Sequence, residues 1–228
     1  MRTEPVVLVH GYCSSFEREW REVGWADLLS EAGRQVIGID LLGHGAADKP
    51  HDPAAYADLE GDLGASLPTD EQVDAIGFSL GAHVLLGFAC REPERFARIV
   101  VAGIGAAVMT EMDTEPLAQL VSGEFATDHP IGNFFARAAA LPENDAAALT
   151  ACMRARRPAL TPELLARVTC PVLVVMGDQD FAGPADPLVA ALPNATHIVL
   201  KGVDHFGTPK NFGFIDAALE FLEAVPKF

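Results

Sequence analysis

Gly77-Phe78-Ser79-Leu80-Gly81 sets a serine between two glycines, with an apolar run, Val73-Asp74-Ala75-Ile76, entering and a helix-like stretch, Leu80 to Arg91, leaving. A strand, a sharp turn and a helix in that order hold the serine in a strained backbone conformation with its hydroxyl exposed. The glycines fit because a Cβ at either position would clash with the neighbouring strand and helix. A serine hydroxyl is a poor nucleophile by itself. It needs a base within hydrogen-bond reach, and the base needs an orienting partner.

The base must come from seven histidines. His205 follows an apolar stretch in Gly202-Val203-Asp204-His205-Phe206. His10 precedes a glycine and suits a turn-shaping role. His44 sits in a Gly-His-Gly loop. His83 lies one turn into the helix after Ser79 and is expected to point away from the turn. His51, His129 and His197 carry no motif and read as surface or core residues. The orienting acid has rivals too. Gly177-Asp178-Gln179-Asp180 offers two carboxylates two residues apart, and Asp204 adjoins His205. In extended geometry Asp178 and Asp180 share a side, so periodicity does not separate them. An aspartate just past a strand also serves local turns. The N–H of Leu80, at the start of a helix whose dipole favours negative charge, suits an oxyanion.

These residues need a scaffold. Six apolar stretches read as buried strands: 6–10, 35–40, 73–78, 98–103, 171–177 and 197–202. Most are runs of Val, Ile and Leu without polar alternation, as in parallel sheets covered on both faces. Helical stretches separate them: 17–32, 52–66 with weak periodicity, and a C-terminal stripe of Ile215, Leu219 and Leu222. Alternating strands and helices imply right-handed crossovers and an α/β doubly wound, mostly parallel sheet of about six strands.

Taken together, these pieces resemble the α/β-hydrolase superfamily. The resemblance rests on the Ser79 turn, on Val6 to Gly11 ending in His-Gly, and on Ile39-Asp40-Leu41-Leu42-Gly43-His44-Gly45 followed by Asp48-Lys49-Pro50. Gly177-x-x-Asp180 and the His205 loop complete it, in the family's order and over nearly the whole chain. The resemblance implies His205 as base, Asp180 as acid by its spacing from Gly177, and the Tyr12 backbone N–H as second oxyanion donor beside Leu80. The family's other place for the acid reads Ala102-Gly103-Ile104-Gly105 and holds no carboxylate. The resemblance also implies one domain over residues 1–228, a sheet trimmed of two N-terminal strands, and a helical cap inserted at 104–167. A serine at the turn separates the chain from the similar dehalogenases, which need a carboxylate nucleophile there.

The 228 residues fit a single domain, and the 50% apolar fraction is ample for a core. A formal net charge of −16 disfavours nucleic acid or an anionic membrane as partner. No apolar run reaches spanning length and no signal peptide is evident, so a cytoplasmic protein is expected. Cys13, Cys90, Cys152 and Cys170 are widely spaced and read as free thiols, Cys13 being nearest the chemistry. No metal cluster, phosphate-cradling loop or dinucleotide fingerprint appears, so neither metal nor cofactor is expected.

Phe125, Phe134, Phe135, Phe181, Phe206, Met109 and Met112 are candidates for a substrate pocket, with simple packing as the plainer reading for the cap residues. Arg154, Arg156 and Arg157 suit either a substrate carboxylate or, more plainly, a solvated face. The chemistry expected is cofactor-free hydrolysis of a small ester, thioester or lactone through an acyl-enzyme. The same groups also serve C–C bond hydrolysis, lyase or acyl-transfer chemistry, or a ligand-binding protein with negligible turnover.

Overall fold

A computed structural model of the chain describes residues 2–124 and 126–226. Six strands form one parallel sheet: β1 (Val6–Val9), β2 (Val36–Ile39), β3 (Val73–Phe78), β4 (Phe96–Ala102), β5 (Val172–Gly177) and β6 (Ala195–Leu200). Their order across the sheet is β2-β1-β3-β4-β5-β6. The order reverses beside β1 and β3, the switch point at which open α/β sheets bind ligands beyond the carboxyl ends of their strands.

Alternate residues of each central strand feed two cores. Val7, Val9, Ala75, Val101, Val172 and Val174 face one side, packed with α2 (Leu59–Ala65), α3 (Leu80–Arg91) and the segment between β4 and β5. Val6, Leu8, Ile76, Val100, Leu173 and Val175 face the other. There Trp20, α1 (Trp25–Glu31) and α9 (Phe212–Phe221) cover them, with Trp25 against Phe214 at 4.8 Å between ring centroids. Burial on both faces explains the unbroken apolar runs of the inner strands.

The edges differ from the buried strands expected. In β6, Ile198 and Val199 are exposed, and β2 is only partly covered. One neighbour in the sheet leaves an edge strand half wet. The single helix expected over 17–32 is two pieces. A π-helical turn at Glu17–Arg21 is separated from α1 by Gly24, whose φ of 97° no β-carbon-bearing residue adopts cheaply. The weakly periodic stretch 52–66 likewise divides into a 3₁₀ turn at Pro53–Tyr56 and α2, each begun by a capping aspartate, Asp52 and Asp58. Between β4 and β5 run α4 (Glu115–Ser122), α5 (Pro130–Ala139), α6 (Ala146–Arg154) and α7 (Pro162–Leu165), and α8 (Asp186–Ala191) joins β5 to β6. Phe125 lies outside the described residues.

Candidate active site

Ser79 sits between β3 and α3 with φ 50° and ψ −115°, a strained conformation for a residue with a Cβ. A Cβ on Gly81 would stand 2.4 Å from the Val9 carbonyl oxygen, and one on Gly77 would stand 2.8 Å from the Ala82 Cα. The glycines let α3 start directly against β1, and the Ser79 N–H donates to Ala102 O at 2.9 Å.

His205 Nε2 lies 3.0 Å from Ser79 Oγ, and its Nδ1 lies 2.9 and 3.0 Å from the two carboxylate oxygens of Asp180. The carboxylate accepts a hydrogen bond from Nδ1–H, which leaves Nε2 as an acceptor facing the hydroxyl. Both side chains are nearly sealed from solvent. The rings of Phe78 and Phe181 flank the imidazole, at 4.8 and 4.3 Å between centroids. Asp180 is braced by the Ala182 N–H on Oδ1 at 2.8 Å. Its loop meets the His205 loop closely, for a Cβ on Gly177 would stand 2.1 Å from Val203 O. Asp178 turns elsewhere and accepts from Gly202 N at 2.8 Å, while Asp204 accepts from Gly207 N at 2.8 Å. At the empty acid position after β4, Gly103 has φ 67°. A Cβ there would crowd Phe78 at 2.5 Å and His205 Cε1 at 3.1 Å.

The loop after β1 is pinned by His10. The Leu41 N–H donates to His10 Nε2 at 3.1 Å, so Nδ1 carries the proton and donates to Gly11 O at 2.7 Å. His44 packs on His10 and on Tyr12, and burial holds it down to about 3, a neutral structural ring. The Tyr12 hydroxyl donates to Leu149 O at 3.0 Å, tying the loop to α6. Tyr12 and Leu80 both border the cavity at Ser79. Cys13 is buried, and desolvation raises its thiol far above the range in which a thiolate forms, which takes it out of the chemistry.

A cavity of about 520 Å³ opens over Ser79, roofed by residues from the segment between β4 and β5. Phe135 and Phe181 line it, with Met112 at its rim. Met109 instead packs against the core. Phe134 and Phe206, expected in the same pocket, stack on each other at 3.7 Å between centroids and line a second cavity of about 200 Å³. Ser79, His205, Tyr12 and Phe135 border both cavities. The serine therefore stands at their junction, with room on either side of a carbonyl.

His83 corrects the expectation that it points away. It lines the larger cavity, and its buried Nε2 has no partner among the described residues. Residues four apart stack on one helix face, so a side chain one turn beyond Ser79 rises along the cavity wall. Burial and the Arg157 cation hold His83 down to about 4 against the pull of the Pro158 carbonyl, so the ring is neutral near pH 7. The arginines divide. Arg154 pairs with Glu115 and Glu124, and Arg156 pairs with Glu111, as a solvated face requires. Arg157 is half-buried, lines the cavity, donates to Cys152 O at 3.0 Å, and meets no carboxylate among the described residues. The position of His83 follows from its spacing to Ser79. Arg157 is set apart by the long-range pairing of Arg154 and Arg156, which left no mark in the sequence.

A family model described as the alpha/beta hydrolase family matches residues 6–224. A 2-hydroxy-6-oxononadienedioate/2-hydroxy-6-oxononatrienedioate hydrolase of Cupriavidus pinatubonensis is 26% identical, over 89% of this chain and 81% of its own. The Escherichia coli protein of the same description is 31% identical over 129 residues, 51% of this chain and 43% of its own, so the chain spans less than half of that relative. Two solved structures share the fold. An esterase from Exiguobacterium antarcticum has TM-score 0.76 at 18% identity, covering 96% of this chain and 92% of that one. A 2-hydroxy-6-oxo-6-phenylhexa-2,4-dienoate hydrolase from Rhodococcus has TM-score 0.73 at 23% identity, covering 97% and 91%. With the family model spanning nearly its whole length and a six-stranded parallel sheet bearing a serine at the β3–α3 turn, the chain belongs to the alpha/beta hydrolase family.

Proposed function

We propose that this protein is a serine hydrolase that works through an acyl-enzyme. The observation that carries the reading is the unbroken line from Asp180 through His205 to Ser79, two contacts of 2.9 and 3.0 Å. His205 takes the Ser79 proton as Oγ attacks a carbonyl carbon. The imidazolium is stabilised by Asp180 and then returns the proton to the leaving group. The Leu80 and Tyr12 amides hold the oxyanion. Water, activated by the same imidazole, releases the acid. A small ester, thioester or lactone spans the two cavities, with its carbonyl at their junction. Hydrolysis of esters and thioesters graded by acyl length, with Ser79→Ala as control, tests this. Turnover that survives Ser79→Ala removes the serine mechanism.

A second reading keeps the attack and changes the leaving group to carbon. The relatives' substrates, as named, carry a ketone and carboxylates but no ester, so their hydrolysis breaks a C–C bond. Arg157 favours this reading. Among the described residues it is a guanidinium without a counter-ion in the wall of the larger cavity, beside a His83 Nε2 that also has no partner there. One such cation matches one substrate carboxylate. Turnover of an oxo-dienoate in preference to any ester would select the second reading.

A further inference from the structure

The residue preceding the second oxyanion donor, Gly11, is held at its own N–H by a carboxyl that the reaction does not use. Tyr12 N–H and Gly11 C=O belong to one peptide plane, so fixing Gly11 aims that N–H. Gly11 O takes His10 Nδ1 at 2.7 Å and Ser14 N at 3.2 Å. Gly11 N donates to Glu19 Oε1, in the π-helical turn, at 2.8 Å. Glycine has the most backbone freedom to lose, and here it lies against the nucleophile: a Cβ on Gly11 would stand 3.3 Å from Ser79 Cβ. Contacts on both sides of Gly11 remove the freedom its missing side chain would leave.

We propose that Glu19 is a positioning residue for the oxyanion site, holding the Gly11 amide so that the Tyr12 N–H points at the developing charge, and that its ionised form holds it more firmly. The inference rests on Tyr12 being an oxyanion donor in the serine-hydrolase reading. A charged acceptor makes a shorter and stronger bond to an N–H than a neutral one. Glu19 faces the smaller cavity together with Ser79 and His205. The other polar and charged groups around it are Ser14, Arg18 of its own turn, Lys210 from the loop after His205, and the Cys13 thiol. Arg18 is engaged with Glu143, which leaves Lys210 as the nearby cation. Burial pushes the Glu19 carboxyl up to about 7, against the Gly11 N–H, the Ser14 hydroxyl and Lys210, so its charge changes in the range where the site would work.

Wild type, Glu19→Ala and Glu19→Gln are compared with 4-nitrophenyl butyrate and with an organophosphonate, whose addition to Ser79 builds an oxyanion. Glu19→Ala is expected to lower kcat and the phosphonylation rate roughly tenfold to a hundredfold, with KM within about threefold. Glu19→Gln keeps an acceptor oxygen and is expected to retain most of kcat near pH 6, while losing the share of the expected wild-type rise in kcat/KM from pH 6 to 8 that ionisation of Glu19 supplies. A Glu19→Ala protein, folded by circular dichroism, that matches the wild type in labelling rate and pH profile overturns the proposal. Should that variant not fold, an unchanged pH profile in Glu19→Gln overturns it. A wild type that neither turns over the ester nor labels at Ser79 instead removes the hydrolase reading, and the positioning role falls with it.

Discussion

Asp178 and Asp180 leave the end of β5 two residues apart and serve different partners. Asp178 accepts from the Gly202 amide at 2.8 Å, whereas Asp180 accepts from His205 Nδ1–H at 2.9 Å. Asparagine at 180 would offer an amide N–H where the imidazole needs an acceptor, and would favour the wrong tautomer. Asp180→Asn is expected to lose roughly 10³- to 10⁴-fold in kcat. Asparagine at 178 still offers Gly202 an oxygen, so Asp178→Asn is expected to stay within about tenfold. Steady-state kinetics on both, with circular dichroism, decides. Equal losses would mean that the His205 contact has no special role.

Gly103 leaves room for the His205 imidazole. Its φ of 67° disfavours any side chain, and a Cβ would press on both Phe78 and His205. Gly103→Ala is expected to lower stability by more than about 1 kcal/mol. By displacing the imidazole it should also lower kcat at least roughly tenfold, given how steeply catalysis depends on alignment. Thermal unfolding and kinetics measure the two effects. Wild-type kcat would mean that the imidazole is held without this space.

Between pH 4 and 7 two buried histidines and one buried carboxyl push stability in opposite directions, and the histidines outweigh the carboxyl. His44 and His83 are held neutral in the fold at about 3 and about 4, against 6.5 for a free imidazole. The unfolded chain binds their protons first, so stability is lost as pH falls below about 6.5. Glu19 is raised from 4.5 to about 7, so the folded chain keeps a proton that the unfolded one releases. That contribution is complete below about 4.5 and is lost as pH rises through about 7. Urea unfolding from pH 4 to 8 should show stability rising to about pH 7 and levelling there. Glu19→Gln removes the opposing contribution and should steepen the rise between about pH 4.5 and 7; an unchanged slope would mean that Glu19 keeps no extra proton in the folded chain.

Arg157→Met tests the carboxylate reading. 4-Nitrophenyl hydrogen glutarate and 4-nitrophenyl valerate differ in the charge at the end of an acyl chain of similar length. A charged hydrogen bond is worth about 1.5–3 kcal/mol, so the wild type should prefer the glutarate ester by roughly tenfold or more in kcat/KM. The ratio should fall towards one in the variant. A wild type indifferent to the charge would return Arg157 to a packing role.

How much of this was legible beforehand follows from range. The Ser79 turn and the inner strands announce themselves because each depends on neighbours in sequence: glycines beside the serine, and apolar runs buried on both faces. The break at Gly24 depends on a single positive φ inside an otherwise helical pattern. The roles proposed for Glu19 and Arg157 depend on what the fold brings close, an amide eight positions back for Glu19 and, among the described residues, no acid beside Arg157. The orientation of His83 needed nothing beyond helix geometry. A residue four positions past the serine stands over the site.

The most direct test of the account is covalent labelling of Ser79. An organophosphonate should give one adduct by intact mass, mapped to the peptide holding Ser79, and the adduct should disappear in Ser79→Ala. The labelling rate should drop sharply in His205→Gln, because the hydroxyl then has no base 3.0 Å away. A wild-type protein that stays unmodified, or one that labels equally fast without His205, would contradict a serine nucleophile activated by this imidazole.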